Sequence, residues 1–113
     1  MENARWFATS FGRHAGLSAL QLVDLEIAVT ELATTSVLYG GGTGMLRTWV
    51  EAGLLVVEVV DRGVLSDPLA GQRPFEEEPE YGRGLLLVNQ VVDLMRTHTG
   101  TQGTTRRVHL RLH

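Results

Sequence analysis

Apolar and polar positions along the chain repeat with two different periods, and the change of period marks out the elements. Over residues 20–39 the apolar positions Leu22, Leu25, Ile27, Val29, Leu32 and Val37 recur at near-helical spacing, which predicts a long helix with one face on a core. Ser18 stands where an N-cap belongs. The run Gly40-Gly41-Gly42 predicts the end of that helix, because glycine accepts the left-handed conformation that closes one. Ahead of it, residues 5–15 predict a shorter helix with Trp6, Phe7 and Phe11 at helical spacing and Gly16 as its stop. The period then falls to two. Residues 45–51 and 54–60 predict paired strands turning at Ala52-Gly53. In the second strand Leu55, Val57 and Val59 alternate with Val56, Glu58 and Val60, and Asp61-Arg62-Gly63 ends it.

Residues 64–81 show no clear periodicity and hold all three prolines and the run Glu76-Glu77-Glu78. They predict a long mobile loop, and so long a loop in a small domain is usually functional; the acidic run by itself reads as a solvated surface. Gly82-Arg83-Gly84 predicts the opening of a helix over residues 85–92. Residues 94–99 and 104–112 predict a closing hairpin that turns at Gly100-Thr101-Gln102-Gly103. In its last strand Val108, Leu110 and Leu112 share one face, and Arg107, His109 and Arg111 the other. Arg106 has the parity of Val108, so it is expected on the core face or at a pocket rim. The order helix–helix–strand–strand–loop–helix–strand–strand predicts an α+β, two-layer sandwich: an antiparallel sheet with helices on one face, as a single domain over residues 1–113.

Composition narrows the function. At 113 residues and 43% apolar, the chain can bury one core. A formal net charge of −3 excludes broad, sequence-independent nucleic-acid binding. With no cysteine, disulfides, zinc–thiolate sites and thiol catalysis are excluded. All ten basic residues are arginines, so a lysine-dependent phosphate loop, a Schiff base and a lysine general base are excluded too. No apolar run reaches the roughly 20 residues of a membrane-spanning helix, and the N-terminus lacks a secretory pattern; a cytoplasmic location with no membrane partner is expected. His14, His98, His109 and His113 lack metal-ligand spacing; a closing hairpin could make neighbours of His98 and His109, but they are read as structural surface histidines. Trp6 and Trp49 are read as core or edge packing.

Several residues invite chemistry. The stretch Gly40 to Gly44 follows a helix and precedes a strand, the reverse of a dinucleotide loop, and reads as a turn. Gly82-Arg83-Gly84 precedes a helix, where backbone N–H groups hold phosphates well. Glu31 and Thr35 are four apart and share a helix face. Taken singly, Glu31 also fits a solvent-facing glutamate, Asp61-Arg62-Gly63 a strand-ending turn, and Thr104 a β-branched strand residue.

Four pieces in order carry more. ELATTSVLYGGG over residues 31–42, DRGVLSDPLAG over 61–71, GRGLLLVNQ over 82–90 and a final strand opening Gly103-Thr104-Thr105 resemble the N-box, the two glycine boxes and the closing threonine strand of the GHKL ATPases. The resemblance spans essentially the whole chain and is closest to the anti-sigma-factor serine kinases of actinobacterial type. It implies the Bergerat ATP-binding fold, with a mixed, mostly antiparallel sheet and a first strand that is shortened or absent here. It implies ATP and Mg²⁺ as cofactors. Glu31 would be the general base, and Asp61 would accept a hydrogen bond from the adenine amino group. Gly63 would let the backbone approach the base, and Thr104 would add a hydroxyl beside it. Gly82 and Gly84 would shape the phosphate-side loop, Arg83 would pair with phosphate oxygens, and residues 64–81 would form a lid. Thr35 stands at the family's magnesium-ligating asparagine, and Leu38 and Tyr39 replace its arginine and histidine. The implied function is a regulatory serine/threonine kinase that phosphorylates, and switches partner with, an anti-anti-sigma protein of the STAS type, and sequesters a sigma factor in another state; homodimer formation is part of the pattern. Thr35 opens an alternative, a catalytically degenerate binding module of the same fold. An ATPase piece of a larger sensor is another.

Overall fold

The computed structural model describes residues 2–39, 44–62, 79–101 and 103–112. Helices α1 (Glu2–Ala15) and α2 (Ala19–Tyr39) lead into strands β1 (Gly44–Glu51) and β2 (Leu54–Asp61); helix α3 (Pro79–Val91) follows, then strands β3 (Leu94–Gly100) and β4 (Gly103–Arg111). The element order matches the one that the hydrophobic periods predict.

Local chemistry sets the boundaries. The Gln21 N–H donates to Ser18 Oγ at 3.2 Å while the Ser18 N–H donates to Gln21 Oε1 at 3.0 Å, a reciprocal cap that starts α2. The β1–β2 turn is two residues long with both in the left-handed region, Ala52 at φ 50° and Gly53 at φ 75°. That turn matches the natural twist of a hairpin. The Gly40 run expected to close α2 lies outside the described residues, as does Gly63 and the greater part of the expected lid. Residues 79–81, counted as loop by the sequence pattern, form the first turn of α3, which therefore starts ahead of Gly82-Arg83-Gly84 rather than at it. Pro79 explains the start: proline fits the first helical position, whose N–H has no helical partner anyway.

The sheet order is β1-β2-β4-β3, with each described pairing antiparallel. Its core-facing row on β2 is Leu55, Val57 and Val59, met across the layer by Leu25, Ala28, Val29 and Leu32 of α2. From α3, Leu85 and Val88 join at helical spacing, and Val108 and Leu110 complete the row on β4. Each fully buried aliphatic side chain here contributes roughly 1.5–3 kcal/mol. Helix α1 departs from its expected facing. Its core stripe is Ala4, Ala8, Phe11 and Ala15, so that small residues let α1 approach α2 closely. Trp6 is 71% exposed and Phe7 48% exposed, on the opposite side. His98 and His109 are not cross-strand neighbours either: His98 faces Thr105 and His109 faces Leu94. Among the described residues no helix is long and apolar enough to cross a membrane.

Candidate functional site

The strand ladder gathers the first group. Asp61, the last residue of β2, stands directly opposite Thr104 of β4, and Val59 stands opposite Arg106. With a period of two, Asp61, Thr104 and Arg106 all fall on the core-facing row. Arg106 is therefore diagonal to Asp61, within reach of a long side chain. Its Nη1 donates to Asp61 Oδ2 at 3.2 Å, and the two side chains are only 2% and 1% exposed. Thr104 is buried, with its Oγ1 3.0 Å from Thr99 Oγ1. Gly103 makes the approach of β4 to Asp61 feasible: at φ +150° a Cβ there would run into the Asp61 carbonyl oxygen.

The second group lies between α2 and α3. Glu31 is half-buried and lines a hollow of about 300 Å³ with Val23, Glu26, Ile27, Thr30 and Leu87. Gly84 is buried against it; a Cβ on Gly84 would come 2.6 Å from Glu31 Oε2. Thr35 is buried one helical turn on, and its Oγ1 donates to the Glu31 carbonyl oxygen at 2.8 Å. Thus Glu31, Thr35 and Gly84 lie together at the α2–α3 contact, and Asp61 and Thr104 stand opposite each other on the β2–β4 ladder. Gly82 lies within α3, and the side chain of Arg83 and the whole of Gly63 are outside what is described.

The Asp61–Arg106 pair is only half legible in the sequence. Strand parity places Arg106 on the core face, but its partner depends on the β2–β4 register, which the sequence does not display. A second cluster escapes the sequence altogether. On the face of the sheet away from the helices, Glu58 is buried between Arg47 Nη2 at 2.7 Å and Arg107 Nη2 at 2.6 Å. Arg107 also lies over the Trp49 ring, 5.2 Å from its centroid. Burial pushes the Glu58 carboxyl up, but the hydrogen bonds and charges of Arg107 and Arg47 together outweigh that and hold it below its ordinary value.

A family model described as the histidine kinase-like ATPase domain matches residues 1–110. The chain belongs to that family. Domains of the family bind ATP, and the α+β architecture of this histidine kinase-like ATPase domain agrees with two solved structures. One is the histidine kinase domain of the blue-light activated histidine kinase from Erythrobacter litoralis EL346, at 20% identity and a TM-score of 0.65, covering 82% of this chain and 45% of that one. The other is the histidine kinase AdeS of Acinetobacter baumannii, at 12% identity and a TM-score of 0.67, covering 80% of this chain and 47% of that one. The chain thus spans under half the length of each, and at these identities the likeness concerns the fold. No curated protein matches.

The residues present fit a nucleotide better than they fit its metal. A buried carboxylate opposite Thr104 and a half-buried glutamate lying against a glycine are groups that a base and a phosphoryl-transfer site use. Among the described residues no three His, Asp or Glu side chains come together as a metal site. Thr35 brings one hard oxygen of the kind magnesium takes, and its proton is already given to the helix backbone.

Proposed function

We propose that this domain binds ATP and acts as a regulatory serine/threonine kinase of the anti-sigma type, switching between a sigma factor and an anti-anti-sigma partner of STAS type. The observation that carries the reading is the pairing of Glu31 with Gly84, with 2.6 Å between Glu31 Oε2 and the position a Cβ would take. A glycine there admits the carboxylate to the α2–α3 hollow, at the place where the motif order puts the general base. In this reading Glu31 takes the proton from a serine hydroxyl as its oxygen attacks the γ-phosphorus, and ADP leaves with the electrons of the broken bond. Asp61 accepts from the base, and Thr104 supports it. Gly82 and Arg83 serve the phosphates, and Gly63 the approach to the base. Magnesium, when bound, neutralises charge on the phosphates. The domain works in the cytoplasm, pairs as a homodimer and makes no direct contact with nucleic acid.

A second reading is favoured by Thr35 itself. Its hydroxyl bonds back to the Glu31 carbonyl at 2.8 Å, and it is shorter than the family's asparagine. A binding module that keeps partner switching but has lost phosphoryl transfer is consistent with that. Label transfer from ATP to a STAS-type partner separates the two: the kinase reading expects transfer that vanishes in Glu31→Ala. No transfer by the wild type, with transfer restored by Thr35→Asn, would establish the degenerate module.

A further inference from the structure

The face of the sheet turned away from the helices carries an ordered excess of positive charge. One row runs straight across all four strands: Arg47 of β1, Glu58 of β2, Arg107 of β4 and Arg96 of β3 stand opposite one another in turn. Three guanidiniums face one carboxylate there, in a chain whose net charge is −3. Glu51 and Arg111, in the end row of the same face, cancel each other. Glu58 is buried and holds the two arginines that flank it, yet their side chains stay 61% and 42% exposed. Arg107 gives Nε and Nη2 to Glu58 Oε2, and Arg47 gives Nη2 to Oε1, so each guanidinium keeps further N–H donors. The Trp49 ring attracts Arg107 as well. Arg96 is exposed and has no carboxylate partner among the described residues. Donors whose geometry is set before a ligand arrives lose less entropy in binding it.

A hollow of about 590 Å³ lies at this row, and Thr97, His98 and Thr105 complete its lining. With strands about 4.8 Å apart, the row extends roughly 14 Å from Arg47 to Arg96. That is wider than a single small anion. It matches about four residues of extended chain, whose alternate side chains point the same way. The adjoining rows are partly apolar: Trp49 and Leu94 stand on one side and Met45 on the other, with Leu94 40% and Met45 60% exposed. Arginine, tryptophan and methionine are residue types that protein interfaces enrich. We propose that this outer sheet face docks an acidic protein segment, with its carboxylates on Arg47, Arg107 and Arg96 and its apolar residues on Trp49, Leu94 and Met45. Nucleic acid is the poorer match, because the chain as a whole is acidic and repels a phosphate backbone. The site lies across the sheet from Asp61 and Glu31 and does not depend on the nucleotide reading.

The probe is a peptide of about ten residues that alternates glutamate with serine. It is titrated at low salt into the isotope-labelled wild-type protein, and the two tryptophan indole N–H signals are followed by NMR. Trp49 is in the docking face and Trp6 is on α1, so the Trp49 signal should move with a Kd of about 100 μM or tighter while the Trp6 signal stays in place. Arg96→Glu leaves the Glu58 pairs intact and should weaken binding at least about tenfold. No movement of Trp49 at about 1 mM peptide, equal binding of the same peptide with glutamine for glutamate, or an unchanged affinity in Arg96→Glu overturns the proposal. Tighter binding of a thymidine oligonucleotide also overturns it and makes the face a nucleic-acid surface. A wild type that is dimeric where Arg96→Glu is monomeric overturns it too, and gives the face to a second copy of the chain.

Discussion

Glu58 shows how much a single side chain depends on its register. It occupies a polar position in an otherwise apolar strand, and the β1–β2 and β2–β4 ladders place Arg47 and Arg107 directly opposite it. Its carboxyl is held below the ordinary 4.5, because the two guanidiniums outweigh the effect of burial. A carboxylate with a lower pKa folded than unfolded contributes stability that is fully present above the unfolded value and is lost as pH falls through the folded one. Glu58→Gln should therefore cost about 1–3 kcal/mol at pH 7 in a urea melt. The gap from wild type should close as pH is taken below 4.5; a gap that stays constant down to about pH 3 would contradict the pairing. Gly84 offers a cleaner separation of fold from function. Alanine in a helix is better than glycine by about 0.5–1 kcal/mol, yet its Cβ would meet Glu31 Oε2 at 2.6 Å. Gly84→Ala is expected to keep or raise the melting temperature while slowing phosphoryl transfer by roughly 10–100-fold. Unchanged transfer would remove Glu31 from the chemistry.

At the scale of elements, the legible features follow from local rules and the others from tertiary ones. The α2 start at Ser18, the two-residue hairpin at Ala52-Gly53 and the facing of Val108 and Leu110 are set by capping, turn and period-two chemistry close in sequence. The first turn of α3 is hidden because prolines and acidic residues around position 79 read as loop, although proline is well placed at a helix start. Trp6 and Phe7 are the large apolar residues of α1, but close approach to α2 selects its alanines. Of the candidate site, the residues are legible through their motif order; the Arg106 partner and the Glu58 cluster are not, since each joins strands far apart in sequence. Ser18→Ala removes one half of the cap on α2 and should cost about 1 kcal/mol. That corresponds to a fall of roughly 5 °C in melting temperature, and a melt unchanged within error would show that the cap does not hold the helix.

At the scale of the whole molecule, the two candidate groups belong to different layers. Asp61, Thr104 and Arg106 lie on the β2–β4 ladder, and Glu31, Thr35 and Gly84 at the α2–α3 contact. The match to the histidine kinase-like ATPase family spans both groups, over residues 1–110. Thr35, which stands at the asparagine position of the family resemblance, falls in the second group, and Arg106, paired with Asp61, falls in the first. The measurement that bears most directly on nucleotide binding is calorimetric titration of the wild-type domain and of Asp61→Ala with ATP, with and without magnesium. Binding at a Kd of about 10 μM or tighter, weakened more than about tenfold in folded Asp61→Ala, is the expected result. No heat of binding to the wild type, or the same affinity in both proteins, would contradict it.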